Sequence, residues 1–299
     1  MPGKQVTELD ALPSFTDVSL LPVHNRAGLK KGTISQLTDY MAEKFSNPNL
    51  LLNSNFRVDQ RGYGAYSNNT TKPTYTLDRW MSINAKVVYN IDGTVTITSL
   101  ATTDTSAWFK QILAHAVDAM CTLSCYITAV TGNAYLYNQA NGEKIVKGLN
   151  TVIISSPSLK GASIELKQGA SITIKWIKLE KGSKATTYVA PNYAEELQKC
   201  KMYYNELYSV LYGYITTKVY IGSEQITSMR TKPTITYKGS IWVYIWEKNF
   251  KYNLSSVGAI TLTQYNEITI PVSPATVGQT CAVIFDKDSY IALDAEIYA

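Results

Sequence analysis

The chain has 299 residues, of which 45% are hydrophobic and 17% charged, with a formal net charge of +5. This composition excludes general disorder, and 22 tyrosines against 6 phenylalanines and 5 tryptophans favour strands over a helical bundle. The positive charge is thinly spread, with Lys30-Lys31 its longest cluster, so no stripe exists for nucleic-acid phosphates. No run approaches the roughly eighteen apolar residues of a membrane span.

Met1 to Glu8 has no apolar core, so no secretory signal is expected there. Cys121, Cys125, Cys200 and Cys281 do not suggest a disulfide framework in a chain this large, which implies synthesis and folding in a reducing cytoplasm.

In chain order, residues 1–47 are short and mixed and end in a helix. Thr33 followed by Gln36 is a capping-box signature, and Ile34, Leu37, Met41 and Phe45 form one apolar stripe. A helix this short is marginal in water, so the stripe needs a partner. Asn47-Pro48-Asn49 then breaks the chain.

Residues 48–190 read as short strands separated by turns. Val87, Tyr89 and Ile91 alternate with other residues, Asp92-Gly93 supplies a turn, and Val95 and Ile97 continue on the return strand. Asn141-Gly142 and Gln168-Gly169 mark further turns. Cys121, Leu123, Cys125 and Ile127 share one strand face, and Ile172, Ile174 and Trp176 repeat the theme. Evenly spaced strands without intervening amphipathic helices predict an antiparallel sandwich.

A second helix is predicted over 191–206, capped by Asn192 with Glu195 at the reciprocal position. Tyr193, Leu197, Cys200 and Tyr204 have the spacing of a helix seam. From 207 to 299 strands resume, at Tyr214 to Ile221, Thr234 to Tyr237, Ile241 to Trp246, Ala259 to Thr263, Glu267 to Val272 and Ala282 to Phe285. Pro233, Pro271 and Pro274 fall at strand edges or turns.

Catalytic chemistry finds little support. His24 and His115 are the only histidines, and Cys121 and Cys125 on a strand would stand about 13 Å apart, too far for a disulfide and poor for one zinc ion. His115 with Asp118 is the best acid–base pair, yet no Gly-x-Ser-x-Gly elbow, Gly-rich phosphate loop or dinucleotide fingerprint accompanies it. No local motif argues for the paired carboxylates of a glycosidase. No catalytic residue, metal or cofactor is therefore expected.

One constellation points to binding. In Ser240-Ile-Trp-Val-Tyr-Ile-Trp246, alternation puts Trp242, Tyr244 and Trp246 on one face and Ile241, Val243 and Ile245 on the other. The aliphatic face suits a core. The aromatic face is either a platform that stacks on sugar rings or a surface packed against a second sheet or a neighbouring subunit.

The stretch Asn49-Leu-Leu-Leu-Asn-Ser-Asn-Phe-Arg-Val-Asp-Gln-Arg-Gly62, followed by Tyr75-Thr-Leu-Asp-Arg-Trp80, resembles the opening of a module of tailed-bacteriophage fibre and receptor-binding proteins, itself similar to carbohydrate-binding jelly rolls. Trp108 to Ile112, Leu123 to Tyr126 and Trp176 to Ser183 continue the resemblance. Tyr193 to Cys200 with Tyr203-Tyr204 look like the helix leaving that module. Met229 to Thr234 and Leu293 to Ile297 resemble a small C-terminal tip domain. Leu9 to Leu37, with Asp17 to Val23 and Lys31 to Leu37, looks like a virion-anchoring segment. The pattern departs from common versions at Cys200 and in the Trp242 to Trp246 strand.

The resemblance implies a mainly β homotrimer: a virion-anchoring segment at 1–47, a jelly-roll sandwich at 48–190, a linking helix at 191–206 and a β-rich tip at 207–299. Its N-terminus would meet other virion proteins and its tip a host-surface polysaccharide or protein, with no nucleic acid and no membrane insertion. Asp78, Arg79 and Trp80 are expected to be structural. Two rival readings stand: an adaptor, collar or head fibre touching only virion proteins, and a surface-glycan depolymerase.

Overall fold

Alternation rather than helical periodicity carries most of this chain into regular structure, and the computed structural model is mainly β, its described pairings all antiparallel. It describes residues 20–25, 28–37, 40, 45–102, 105–138, 140–208, 210–215, 219–221, 228–246, 250–253, 261–262, 268–270 and 279–297. Two units separate: Met1–Pro48 with Lys184–Val189, and Asn49–Ser183 with Ala190–Ala299.

The first unit contains a hairpin that the sequence reading did not assign. Its strands β1 (Leu20–Asn25) and β2 (Gly28–Thr33) pair from Leu20 opposite Thr33 to Asn25 opposite Gly28. The predicted capping box forms where β2 ends. Thr33 N donates to Gln36 Oε1 at 2.9 Å, and Gln36 N donates to Thr33 Oγ1 at 3.1 Å, opening the helical turn at Ile34. Leu37 and Phe45 are exposed, Ile34 is half-buried, and Met41 lies outside the described residues. Asn47 N is held by Thr186 Oγ1 at 2.9 Å.

The second unit opens with the sandwich. Its strands are β3 (Ala65–Asn68), β4 (Thr74–Tyr75), β5 (Met81–Ile83), β6 (Ala85–Tyr89), β7 (Val95–Ser99) and β8 (Ala107–Val117). They continue as β9 (Cys121–Thr131), β10 (Ala134–Leu136), β11 (Glu143–Lys144), β12 (Gly148–Ile154), β13 (Leu159–Leu166) and β14 (Ser171–Lys181). Two six-stranded sheets result, ordered β11-β10-β13-β8-β5-β4 and β12-β9-β14-β7-β6-β3. The pairs β7·β14, β8·β13, β9·β12 and β10·β11 are the rungs of one long antiparallel ribbon. Alternate rungs fall in opposite sheets, and β14·β9 and β13·β10 close the roll. This is the jelly-roll winding.

The core follows from strand alternation. Cys121, Leu123, Cys125 and Ile127 are all fully buried on one face of β9, as expected. Between the sheets, Trp80 and Phe109 stack at 4.8 Å, and Phe56 is tilted against both at 5.4 and 5.9 Å.

Two expectations fail for local reasons. Ile91 does not continue its strand but sits fully exposed at the hairpin tip, where Gly93 N closes onto Asn90 O with Gly93 in the left-handed region. Trp176 does not share a face with Ile172 and Ile174. The register of β14 against β9 steps from Ile174↔Ile127 to Trp176↔Tyr126, so a bulge at Lys175 turns Trp176 outward beside Tyr126 and Ile177 inward.

Beyond the sandwich, α1 (Tyr193–Lys201) is capped by Asn192, whose Oδ1 accepts from Ala194 N at 2.9 Å and Glu195 N at 3.4 Å. Glu195 is exposed, and Glu196 is the buried acidic residue of the first turn. The helix stops short of the predicted 206. Tyr204 opens a strand because it pairs with Asp294, and Ala295 N captures Tyr203 O at 2.7 Å, so sheet pairing overrides the helical spacing.

Ten strands follow: β15 (Tyr204–Leu207), β16 (Leu211–Ile215), β17 (Val219–Ile221), β18 (Thr234–Lys238), β19 (Ile241–Ile245), β20 (Phe250–Asn253), β21 (Thr261–Leu262), β22 (Ile268–Ile270), β23 (Thr280–Phe285) and β24 (Tyr290–Asp294). They form a sheet β15-β24-β18 and a sheet β20-β19-β23-β16-β17-β22-β21. The two share a core that includes Leu207, Leu211, Ile241, Val243, Val283 and Leu293. Pro233 directly precedes β18; Pro271 and Pro274 lie outside the described residues.

Candidate functional site

The Leu77-Asp-Arg-Trp80 motif builds a junction between the sandwich and the C-terminal sheet. Trp80 N bonds Leu77 O at 2.9 Å in a tight turn, and Arg79 takes φ 69° at the position where glycine or asparagine is usual. The turn aims Arg79 at the C-terminal sheet. Its guanidinium pairs with Glu296, donates to Ile112 O at 2.6 Å, and lies 3.7 Å from the Tyr203 ring centroid. Arg61 stacks on Tyr204 at 3.6 Å, and Tyr75 Oη donates to Ile297 O at 2.5 Å. Gln60 Nε2 bridges Asp78 Oδ1 and Tyr204 O, both at 2.6 Å.

Burial sets the electrostatics of this junction. It pushes the carboxyls of Asp78 and Glu296 up from their ordinary values, with Arg61 pulling Asp78 down and Arg79 and Arg61 pulling Glu296 down. Burial also opposes the Arg61 charge, but Asp78 and Glu296 outweigh it and hold that charge in place. The expected structural role of Asp78, Arg79 and Trp80 matches these contacts.

One group of exposed aromatics lies on the seven-stranded sheet. Ile241, Val243 and Ile245 are buried in the core, so Trp242 and Tyr244 take the other face, as alternation requires, while Trp246 falls just past the end of the strand and not within it as expected. Trp242 Nε1 donates to Asp286 Oδ2 at 3.0 Å, and the Tyr244 and Trp246 rings meet edge to face at 5.0 Å. Trp242 and Tyr244 are half-buried, whereas Trp246 is 54% exposed.

Two further tyrosines join this face. In β16, Leu211 and Ile215 are buried and Tyr212 and Tyr214 stand 64% and 48% exposed. Ala282 of β23 is in register with both Tyr244 and Tyr212, so a methyl group separates the two phenols across three strands. Their backbones are thus roughly 10 Å apart, twice the interstrand spacing. Tyr214 is opposite Thr280. The signal for this second strand was present in Leu-Tyr-Gly-Tyr-Ile, the same alternation of aliphatic and aromatic positions, but only the sheet order makes the two strands near neighbours.

The other predicted residues are distributed differently. Of the proposed seam, Tyr193, Leu197 and Cys200 lie on α1 while Tyr204 lies on β15; Cys200 is buried and Tyr193 is exposed. His115 and Asp118 are exposed around the end of β8. All four cysteines are free and buried, and no metal-ligand cluster occurs among the described residues.

No protein-family model and no curated protein matches the chain. Among solved structures it is similar to an exo-beta-agarase, with TM-score 0.26 and 6% identity over 70% of this chain and 45% of that one, so it spans less than half the agarase's length. It is also similar to the oxalate decarboxylase of Bacillus subtilis, with TM-score 0.13 and 10% identity over 96% of this chain and 89% of that one. Similarity this slight carries nothing about activity from either protein.

Proposed function

We propose that this chain is a fibre or receptor-binding protein of a bacteriophage particle, anchored through its N-terminal segment and binding host-surface glycan through the outer face of its C-terminal seven-stranded sheet. The observation that carries the binding role is the aromatic row: Tyr244 and Tyr212 in register across Ala282, with Tyr214 exposed on the same face and Trp246 exposed against the Tyr244 ring. Phenol and indole rings stack on the apolar faces of sugars while their polar tips bond hydroxyls. Ala282 itself is fully buried between the two tyrosine strands, so a sugar would stack on the exposed rings of Tyr212, Tyr214 and Trp246. Adhesion needs no bond to be made or broken, and three tips of a trimer would multiply weak contacts through effective concentration.

The test is a Tyr212→Ala, Trp246→Ala double variant. On a binding platform, each ring should contribute on the order of 1–3 kcal/mol to host-polysaccharide binding, by analogy with base stacking, with little change in thermal midpoint. The exposure of Tyr212, Tyr214 and Trp246 on a single sheet suits one other reading, a subunit contact. In that case the double variant loses trimer and melts earlier while adsorption per trimer is unchanged. Release of reducing ends from the polysaccharide by the unaltered protein would instead point to a depolymerase.

A further inference from the structure

A cavity of about 360 Å³ opens where the Asp59-Gln60 segment of the sandwich, one face of α1 and the end of β15 converge. Tyr193, Leu197 and Lys201 are spaced four residues apart on α1 and share that face. The buried residues of the helix are Glu196 and Cys200, and Leu197 joins neither apolar core. Helix packing therefore leaves the Tyr193–Leu197–Lys201 stripe to line the cavity.

The polar lining is fixed from behind. Gln60 Nε2 is tied to Asp78 Oδ1 and Tyr204 O at 2.6 Å each, which sets its rotamer and leaves Oε1 as an acceptor. Glu206 Oε1 accepts from Tyr204 Oη at 2.5 Å, which leaves Oε2 as a second acceptor. Asp59 is spent on the fold, accepting from Gly62 N at 3.1 Å, Gly64 N at 3.3 Å and the Tyr66 hydroxyl. Tyr193 and Tyr208 are the exposed members of the lining, at 49% and 63%.

A volume of this size falls within the roughly 300–1,000 Å³ of small-molecule sites. Two phenol rings and a leucine offer apolar surface to one face of a ring. An amide oxygen, a carboxylate and an ammonium offer acceptors and donors to hydroxyls around its edge. Two carboxylates against one ammonium disfavour an anion. We infer that this cavity is a saccharide subsite for a single neutral or amino-sugar residue. It shares no residue with the outer aromatic face and does not rest on that reading.

Saturation-transfer NMR on the full chain tests it, with glucose, galactose, mannose, N-acetylglucosamine and glucosamine as probes and glucuronate as the anionic control. At least one neutral or amino sugar should bind. Tyr208→Ala should weaken that binding by about tenfold, the loss expected of an aromatic anchor. Leu197→Trp, which fills the cavity, should abolish it, whereas Trp246→Ala should leave it unchanged. The inference is overturned if none of these sugars binds at about 50 mM, a concentration that reveals even millimolar affinity. It is equally overturned if glucuronate binds best, or if both cavity variants bind as the unaltered protein does.

Discussion

Arg79 and Glu296 stand 217 residues apart in sequence and form an ion pair whose side chains are 2% and 0% exposed. The pair joins a turn of the jelly roll to the segment after β24. Glu296 Oε1 also accepts from Arg79 N at 3.1 Å, so one carboxylate holds both the side chain and the strained backbone of the same residue.

Breaking that pair by removing one partner is expected to be costly, because the other charge stays buried. Arg79→Met should destabilise the protein by about 3–5 kcal/mol. Replacing both with apolar residues, as Arg79→Met with Glu296→Leu, should recover part of the loss. Urea unfolding midpoints of the singles and the double give the coupling.

Stability should fall in mild alkali. Burial pushes the Cys125 thiol up to about 12 and Cys281 up to about 11, and it raises the hydroxyls of Tyr66, Tyr75 and Tyr204 as well. The folded form keeps these protons to higher pH than the unfolded chain, which releases its thiol protons near the ordinary value of 9.0. Their contribution is therefore complete below about pH 9 and is lost as pH rises towards 12. Thermal midpoints measured across that range should decline, and at pH 8 the native thiols should not react with a disulfide reagent that labels all four after denaturation.

Gly161 lies at the register irregularity between β13 and β8, where a Cβ would meet Gln111 O at 2.0 Å. Gly161→Ala must shift backbone in two strands. Gln111 also clamps Leu52 through both its amide atoms, accepting from Leu52 N at 2.8 Å and donating to Leu52 O at 2.7 Å. The substitution should cost about 1–3 kcal/mol, readable as a lowered thermal midpoint.

The proposed anchor can be separated from the fold. Among the described residues, the sandwich core draws on nothing before Leu50. Deleting residues 1–46 should leave a folded protein with the same unfolding midpoint that fails to enter particles. Mass measurement of the full chain should give three times the monomer value, as for a closed cyclic assembly.

Much of the fold was legible because alternation survives wherever one strand face is buried. Cys121 to Ile127 and Ile241 to Ile245 needed no tertiary information to assign their inner faces. The failures have two causes, a pairing partner distant in sequence and a local break in a strand. Tyr204 fits a helix seam until Asp294 pairs with it, and Trp176 fits the inner face until the bulge at Lys175 reverses it. The hairpin β1–β2 carries only weak strand propensity at Lys30 and Lys31, so its sequence does not announce it. For the candidate site, the Trp242 to Trp246 strand announced itself, whereas the contribution of Tyr212 and Tyr214 depended on β23 lying between β19 and β16. The cavity beside α1 had no sequence signal, since its lining comes from three separate stretches of chain.

The span from Arg79 to Glu296 also has a meaning in time. At roughly 5–20 residues per second of synthesis, Glu296 follows Arg79 by about 10–40 s. A jelly roll can close on itself much sooner than that. Throughout this interval Arg79 lacks its carboxylate, and for more than the first half of it the ring of Tyr203 as well, so the nascent sandwich must leave that turn open to water. The segment after β24 then shuts it, and the order of synthesis becomes the order in which the junction dries.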